Sequence, residues 1–317
     1  MFALVVWLIL TKLSFKEVVQ AFSQVRPEYL VPIVLVLTPL GVVVRTWKWR
    51  WLLPSGRHVP FSTFVGAYLI GNLANSVLLG KFGDLVKAKV ICDTKIDYGR
   101  SVAVVVIDRL LEGAALLLIF AVVLLTSTLP SWAYQLALVA GLVAVGALVT
   151  LRLIFHRREW FLKTAERILG LLPARLAGKL MTWLRLLVDG CDVMTDYRRL
   201  LVAFLVDFVA WAIDTTIIAI FLSAFSIHAP LVLASIVLLV VLNFGMLAPI
   251  SPASVGVYQL LCVFALSLWR VDRQLGFAIG ITMQMVIFIP LYAAGLVAIL
   301  LLKRGKRSKT VTVAEAS

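Results

Sequence analysis

Asp108, Arg109 and Glu112 stand inside one apolar run of the chain, and Asp207 and Asp214 inside another. A charge at membrane depth is costly, so such residues pair with one another or mark an ion, proton or headgroup site. Arg109 and Glu112 are three apart and can pair on one helical face, while Asp207 and Asp214 are seven apart and share a face. Two readings of Asp108 to Glu112 stay open. One is a structural pair near a helix end, since Arg100 places them only two or three turns inside; the other is a headgroup or proton site.

Two further stretches offer backbone donors. The first runs from Gly71-Asn72 through Asn75 to Gly80-Lys81-Phe82-Gly83-Asp84, followed by Lys87 and Lys89. Small residues and amides at membrane depth let a backbone unwind, because neighbouring groups satisfy the freed N–H and C=O groups. An unwound tip at Gly80 to Gly83, followed by a helix, would aim N–H donors at an anion, with lysines adding charge. The plain alternative is a glycine turn. The second stretch is Asn243 followed by Pro249-Ile250-Ser251-Pro252-Ala253-Ser254-Val255-Gly256-Val257-Tyr258-Gln259. Ser251 as N-cap and Pro252 at the first helical position would start a half-helix inside the bilayer, suited to a phosphate or carboxylate. An extracellular turn would use the same residues.

Other patterns carry less chemistry. Arg45-Thr46-Trp47-Lys48-Trp49-Arg50-Trp51 reads as an interfacial belt of tryptophans with snorkelling cations, ahead of a nucleic-acid surface. Asp189, Asp192 and Asp196 could bind a diphosphate but read better as a solvated helix face. The three cysteines and three histidines lack metal-ligand spacing. No Walker loop, nucleophile elbow or dinucleotide fingerprint is present, so neither a catalytic centre, a cofactor nor a metal is expected.

The elements that must position these residues are membrane helices. Of the 317 residues 62% are hydrophobic, more than a soluble core can hide, and they fall in blocks near the length of a span. The net charge of +14 sits between or at the ends of those blocks, the mark of cytoplasmic loops rather than of a nucleic-acid partner. Four basic groups stand out: Arg45 to Arg57, Lys81 to Arg100, Arg152 to Arg199, and the tail from Lys303 to Lys309.

If all four face the cytoplasm, the segment Pro60 to Leu79 must enter the bilayer and return. By the same logic Leu231 to Ala248 and Tyr258 to Trp269 form a hairpin from the far side, broken at Pro249 to Pro252. The expected fold is all-α and polytopic: about six full spans plus two re-entrant helical hairpins in an inverted repeat. Seven or eight plain transmembrane helices would also satisfy the hydropathy. Residues 1–302 read as one transmembrane domain, containing a basic amphipathic cytoplasmic connector at 152–199 broken at Pro173, with a basic cytoplasmic tail at 303–317. The connector reads as a solvated linker or as helices lying on anionic headgroups. Phe2 to Leu10 lacks the marks of a removable signal peptide; it starts a tilted helix to about Phe22, or lies at the interface.

Lys48-Trp49 closing a span, Asn75 with Gly80, Gly83, Asp84 and Lys87, Asp108-Arg109-Leu110, and Pro249-Ile250-Ser251-Pro252 with Gly256 resemble, in that order, the transmembrane region of lysylphosphatidylglycerol synthases, a flippase-like family. The resemblance covers nearly the whole chain. Leu79-Gly80 stands where that family usually has Pro-Gly, Asp84 replaces Glu, Lys87 replaces Arg, and Ala253, Ser254 and Gln259 depart from two glycines and a Glu. The charge is kept in the first motif and lost at Gln259, against any mechanism needing two symmetric carboxylates.

The resemblance implies a bacterial inner-membrane protein, multi-pass with a cytoplasmic C-terminus, that translocates or exposes an anionic or isoprenoid-type lipid. The chain ends at Ser317 without the soluble aminoacyl-transferase domain of full-length synthases, so lysyl transfer is not expected. The headgroup site would draw on Asn75, Lys81, Asp84, Lys87, Lys89, Asp108, Arg109, Asn243, Ser251, Ser254, Gly256 and Gln259. The expected partners are membrane lipids and, in a second reading, a lipid-modifying enzyme served by a non-transporting accessory protein. A third reading, an integral transferase on an isoprenoid-linked substrate, would have to use Asp108, Glu112 and Asp189.

Overall fold

The computed structural model describes residues 27–53, 58–77, 82–92, 96–190, 196–246 and 256–314. Among them every regular element is helical. The segment up to Phe22 lies outside the described residues, as do Lys81, Asp192, Ser251 and Ser254.

Among the described residues, four helices are long and apolar enough to cross a membrane: α1 (Glu28–Leu52), α4 (Tyr98–Thr126), α8 (Tyr197–Ala224) and the first part of α11 (Arg273–Ala314), over Arg273–Leu302. Between α1 and α4 come two short helices, α2 (Phe61–Val77) and α3 (Gly83–Cys92). Between α8 and α11 come α9 (Leu231–Gly245) and α10 (Val257–Leu266). The middle of the chain forms α5 (Ser131–His156), α6 (Arg158–Leu169) and α7 (Ala174–Gly190). Pro173 separates α6 from α7 as its chemistry requires, since proline cannot continue the ladder of the preceding turn. These helices make the chain a multi-pass membrane protein.

Local sequence explains the helix starts and irregularities. Asp97 caps α4 by accepting from the Arg100 backbone N–H at 2.9 Å, and Asp196 caps α8 by accepting from the Arg199 N–H at 3.2 Å. The Arg199 N–H, followed by its guanidinium, holds the Asp196 carboxyl below the usual carboxylate range. Within α1, a π-helical stretch at Ile33–Leu37 lies between Pro32 and Pro39, where missing N–H donors interrupt the ordinary ladder.

The chain divides into two compact units. The first comprises Met1–Val43, Ser62–Lys87 and Ala212–Ser317. Here α3 turns back along α2: Gly83 lies against Asn75 and Gly71, and Lys87 against Gly71. A Cβ on Gly83 would collide with the Gly71 carbonyl oxygen, and one on Gly71 would come within 2.8 Å of the Lys87 Cβ. Both positions therefore need glycine for the two backbones to meet. Helix α10 packs between α9 and α11. Its contact with α11 is equally close, because Gly280 lies 2.9 Å, from an ideal Cβ position, to the Gln259 Cα. Gly295 of α11 makes the same kind of approach to α2, at 2.8 Å from the Leu69 carbonyl oxygen. Lipid supplies no hydrophobic drive between spans, so close van der Waals approach through small residues holds them together.

The second unit comprises Val44–Phe61 and Ala88–Trp211. Helix α4 is its centre, with α5 and α7 packed on it and α6 packed on α5 and α7. The buried face of α4 holds Val104, Ile107, Ala115, Leu116 and Phe120, together with the two acids described next.

Candidate functional site

Eleven residues after each aspartate cap comes a second aspartate: Asp97 leads to Asp108 in α4, and Asp196 to Asp207 in α8. Three helical turns carry each about 16 Å from its helix start. Glu112, one turn beyond Asp108, shares its face of α4, and both are buried. These three carboxylates converge on the ammonium group of Lys48, near the end of α1.

Lys48 Nζ lies 2.8 Å from Asp108 Oδ1 and 3.0 Å from Glu112 Oε1, and it donates to Asp207 Oδ1. Lys48 and Asp207 have no solvent exposure at all. An ammonium carries three donors; Glu112 and Asp207 accept two of them, and Asp108 faces the same ammonium as an ion pair. Arg109 approaches from the outside, its NH1 2.7 Å from Glu112 Oε2, with 43% of its side chain exposed. Trp211, one turn beyond Asp207, donates its indole N–H to the Glu112 carbonyl at 3.1 Å, and Arg45 lies over its ring at 5.5 Å. Asp207 Oδ2 is buried and makes no hydrogen bond. Such a network repays the cost of desolvating its ions only through tight mutual contact, which makes it intolerant of losing one member.

This arrangement corrects the reading of Lys48 as part of an interfacial belt. The stretch splits by helical face: Thr46, Lys48, Trp49 and Leu52 are buried, whereas Trp47 is exposed and stacks on Trp51 at 5.5 Å. The Arg109–Glu112 pairing is as the spacing predicts. Asp108 and Arg109, expected at a headgroup site, are engaged in ion pairs within the second unit. Asp214 belongs to the first unit. Sequence reasoning missed Lys48 as their partner. The signal available was the repeated Asp-x-x-Arg start with an Asp eleven residues on, which announces two acids at equal depth in need of a cation.

In the first unit the expected headgroup residues are largely occupied by local structure. Asn75 Oδ1 accepts from the Gly83 backbone N–H at 2.8 Å, so this donor at the start of α3 serves the hairpin instead of pointing at an anion. Asp84 occupies the first turn of α3 and lies 3.6 Å from Lys87. The Lys87 ammonium also stands over the Tyr68 ring at 5.9 Å. Lys87 is buried, whereas Lys89 is exposed, so the two do not share a face. Asn243 turns its amide to its own helix, donating to the Leu239 carbonyl at 2.9 Å.

The helix carrying Tyr258 and Gln259 starts at Val257, with Gly256 before it at φ 86, in the region that favours glycine; the helix start expected at Ser251 and Pro252 lies outside the described residues. Gln259 Oε1 accepts from the Gly256 N–H at 2.7 Å, and its amide donates to Gln284 Oε1 at 2.6 Å. Gln259 thus acts as a cap and a tie to α11.

The connector helices carry exposed apolar residues among exposed cations. Trp160 and Ile168 on α6, and Leu176 and Leu180 on α7, are exposed, as are Arg158, Lys163, Arg167, Arg175 and Lys179. Glu166 and Arg185 tie the two helices at 3.5 Å. Asp196, from the acidic cluster, is spent on the α8 cap.

The family model described as the lysylphosphatidylglycerol synthase TM region matches residues 1–295 of the chain. No curated protein and no solved structure matches it.

Proposed function

From its place in the lysylphosphatidylglycerol synthase transmembrane-region family, to which the chain belongs over residues 1–295, we propose that this membrane protein translocates or exposes an anionic or isoprenoid-type lipid. The observation that carries this reading is the α2–α3 pair. Two short helices double back through a glycine contact that admits no side chain, with Lys87 buried between them. Asp84 lies 3.6 Å from Lys87, an ion pair longer than a hydrogen bond. A lipid phosphate arriving at the pair can take over this cation from Asp84.

The order span, short pair, span occurs twice, as α1 to α4 and as α8 to α11. It supports an inverted repeat in which α2–α3 and α9–α10 are re-entrant hairpins, with α5 as a further span. The basic residues of the connector and tail support a cytoplasmic C-terminus by the positive-inside rule, in keeping with a bacterial inner-membrane protein. The exposed Trp160, Ile168, Leu176 and Leu180 among cations favour α6 and α7 lying on anionic headgroups. In this reading the protein acts without catalysis: two of the three acids a transferase would have to use, Asp108 and Glu112, are held by Lys48 and Arg109.

The test is movement of fluorescent phosphatidylglycerol in proteoliposomes, read with a membrane-impermeant quencher. Wild-type protein should expose inner-leaflet lipid faster than protein-free vesicles, and Lys87→Glu should return the rate to that of protein-free vesicles. Wild-type movement in a well-folded Lys87→Glu protein overturns the headgroup site. A wild-type rate equal to that of empty vesicles, with isoprenoid phosphate as well, overturns the translocase reading.

A further inference from the structure

The cluster around Lys48 holds more negative charge than its buried cation can balance. Lys48, Asp108, Glu112 and Asp207 are all under 10% exposed, and they comprise one cation and three carboxylates. The arginines stand at the edge: Arg109 on Glu112 with much of its side chain in the open, and Arg45 over the Trp211 ring. Of the helices packed on α4, α5 and α7 bring no charge inward among the described side chains. Residues 131–150 of α5 contain none, and Arg175, Lys179 and Arg185 of α7 are exposed.

Asp207 is the most deeply buried of the three acids. It is completely buried, it faces two other carboxylates across a single shared ammonium, and its Oδ2 makes no hydrogen bond. Lys48 has no fourth donor to give it. A proton on Oδ2 removes the excess charge at its most desolvated point without disturbing the three contacts of Lys48.

We propose that this cluster is a proton-binding site, with Asp207 carrying the exchangeable proton, and that it couples lipid movement to a proton gradient. On release the Oδ2–H bond breaks, its electron pair stays on Asp207 as a carboxylate, and the proton passes to water; uptake is the reverse. Lys48 remains an ammonium throughout. Glu112 bridges Lys48 to the half-exposed Arg109, and that edge is the exposed side of the cluster. The coupling rests on the lipid-translocase reading, whereas the proton site does not.

Two measurements on the full chain separate these claims. Infrared difference spectra of reconstituted protein across a pH titration should show a protonated-carboxyl band that comes and goes reversibly, is lost in Asp207→Asn and persists in Asp207→Glu. A wild-type spectrum without that band, or a band unchanged in a folded Asp207→Asn protein, overturns the proton site. In proteoliposomes an imposed pH gradient should speed wild-type lipid movement, and a protonophore or Asp207→Asn should reduce it to the gradient-free rate. Lipid movement indifferent to the gradient overturns the coupling. No lipid movement in any condition sinks the translocase reading and the coupling with it, while the infrared result still decides the proton site.

Discussion

Asp207 accepts a hydrogen bond from the ammonium of Lys48, 159 residues earlier in the chain, and neither side chain has any exposure to solvent. The relationship ties the end of one span to the interior of another with a charge that water cannot replace. Its removal should therefore be felt first as lost stability.

Lys48→Met leaves three buried carboxylates without their common cation. Breaking a buried ion pair from one side costs about 3–5 kcal/mol, and this variant should lose stability of that order, measured by denaturation in detergent. Adding Asp207→Asn to it should recover part of the loss, because the double variant buries one ionisable carboxyl fewer. Equal stability of wild type and Lys48→Met would show that the cluster contributes nothing to the fold.

Gly83→Ala drives a methyl group into the Gly71 carbonyl and should cost about 1–3 kcal/mol through forced backbone shifts. Gly113 is the control, as nothing lies within 4 Å of the Cβ it would gain. Gly113→Ala should be neutral or slightly stabilising, since alanine is the better helix former. Thermal melting of both variants in the same detergent checks the pair.

Gln259→Ala removes the acceptor of the Gly256 N–H and the tie to Gln284. A buried donor left unsatisfied costs about 1–3 kcal/mol. Gln259→Glu keeps an acceptor for Gly256 and, with Gln284 turned to donate, should be better tolerated than the alanine. If the alanine variant melts no earlier than the glutamate one, Gln259 is not acting as the cap of α10.

The Asp196 cap should weaken on acidification. Its carboxyl is depressed in the fold by the Arg199 N–H and guanidinium, so its contribution is present above the ordinary carboxylate range. That contribution is lost as pH falls through the lowered folded value. Hydrogen exchange at the Arg199 amide, corrected for its intrinsic pH dependence, should show this loss of protection. Asp196→Ala should show low protection at every pH.

Much of the helical plan was legible in the sequence because length and apolarity set it locally. The blocks that became α1, α4, α8 and α11 are near the length of a bilayer crossing, Pro173 could only divide α6 from α7, and Arg109 and Glu112 needed only three residues of helix to meet. What the tertiary structure alone decided is which polar groups find each other. Lys48 sits in a run of tryptophans that reads as a membrane belt, and nothing local distinguishes its face of the helix from that of Trp47. Its partners lie 60, 64 and 159 residues away. Asn75 and Gln259 likewise read as ligand amides until packing brought Gly83 to the one, and the turn at Gly256 with α11 to the other. Hydropathy fixes how far a segment sits from water, but a buried charge or amide is satisfied by whatever the packing of distant helices delivers to it.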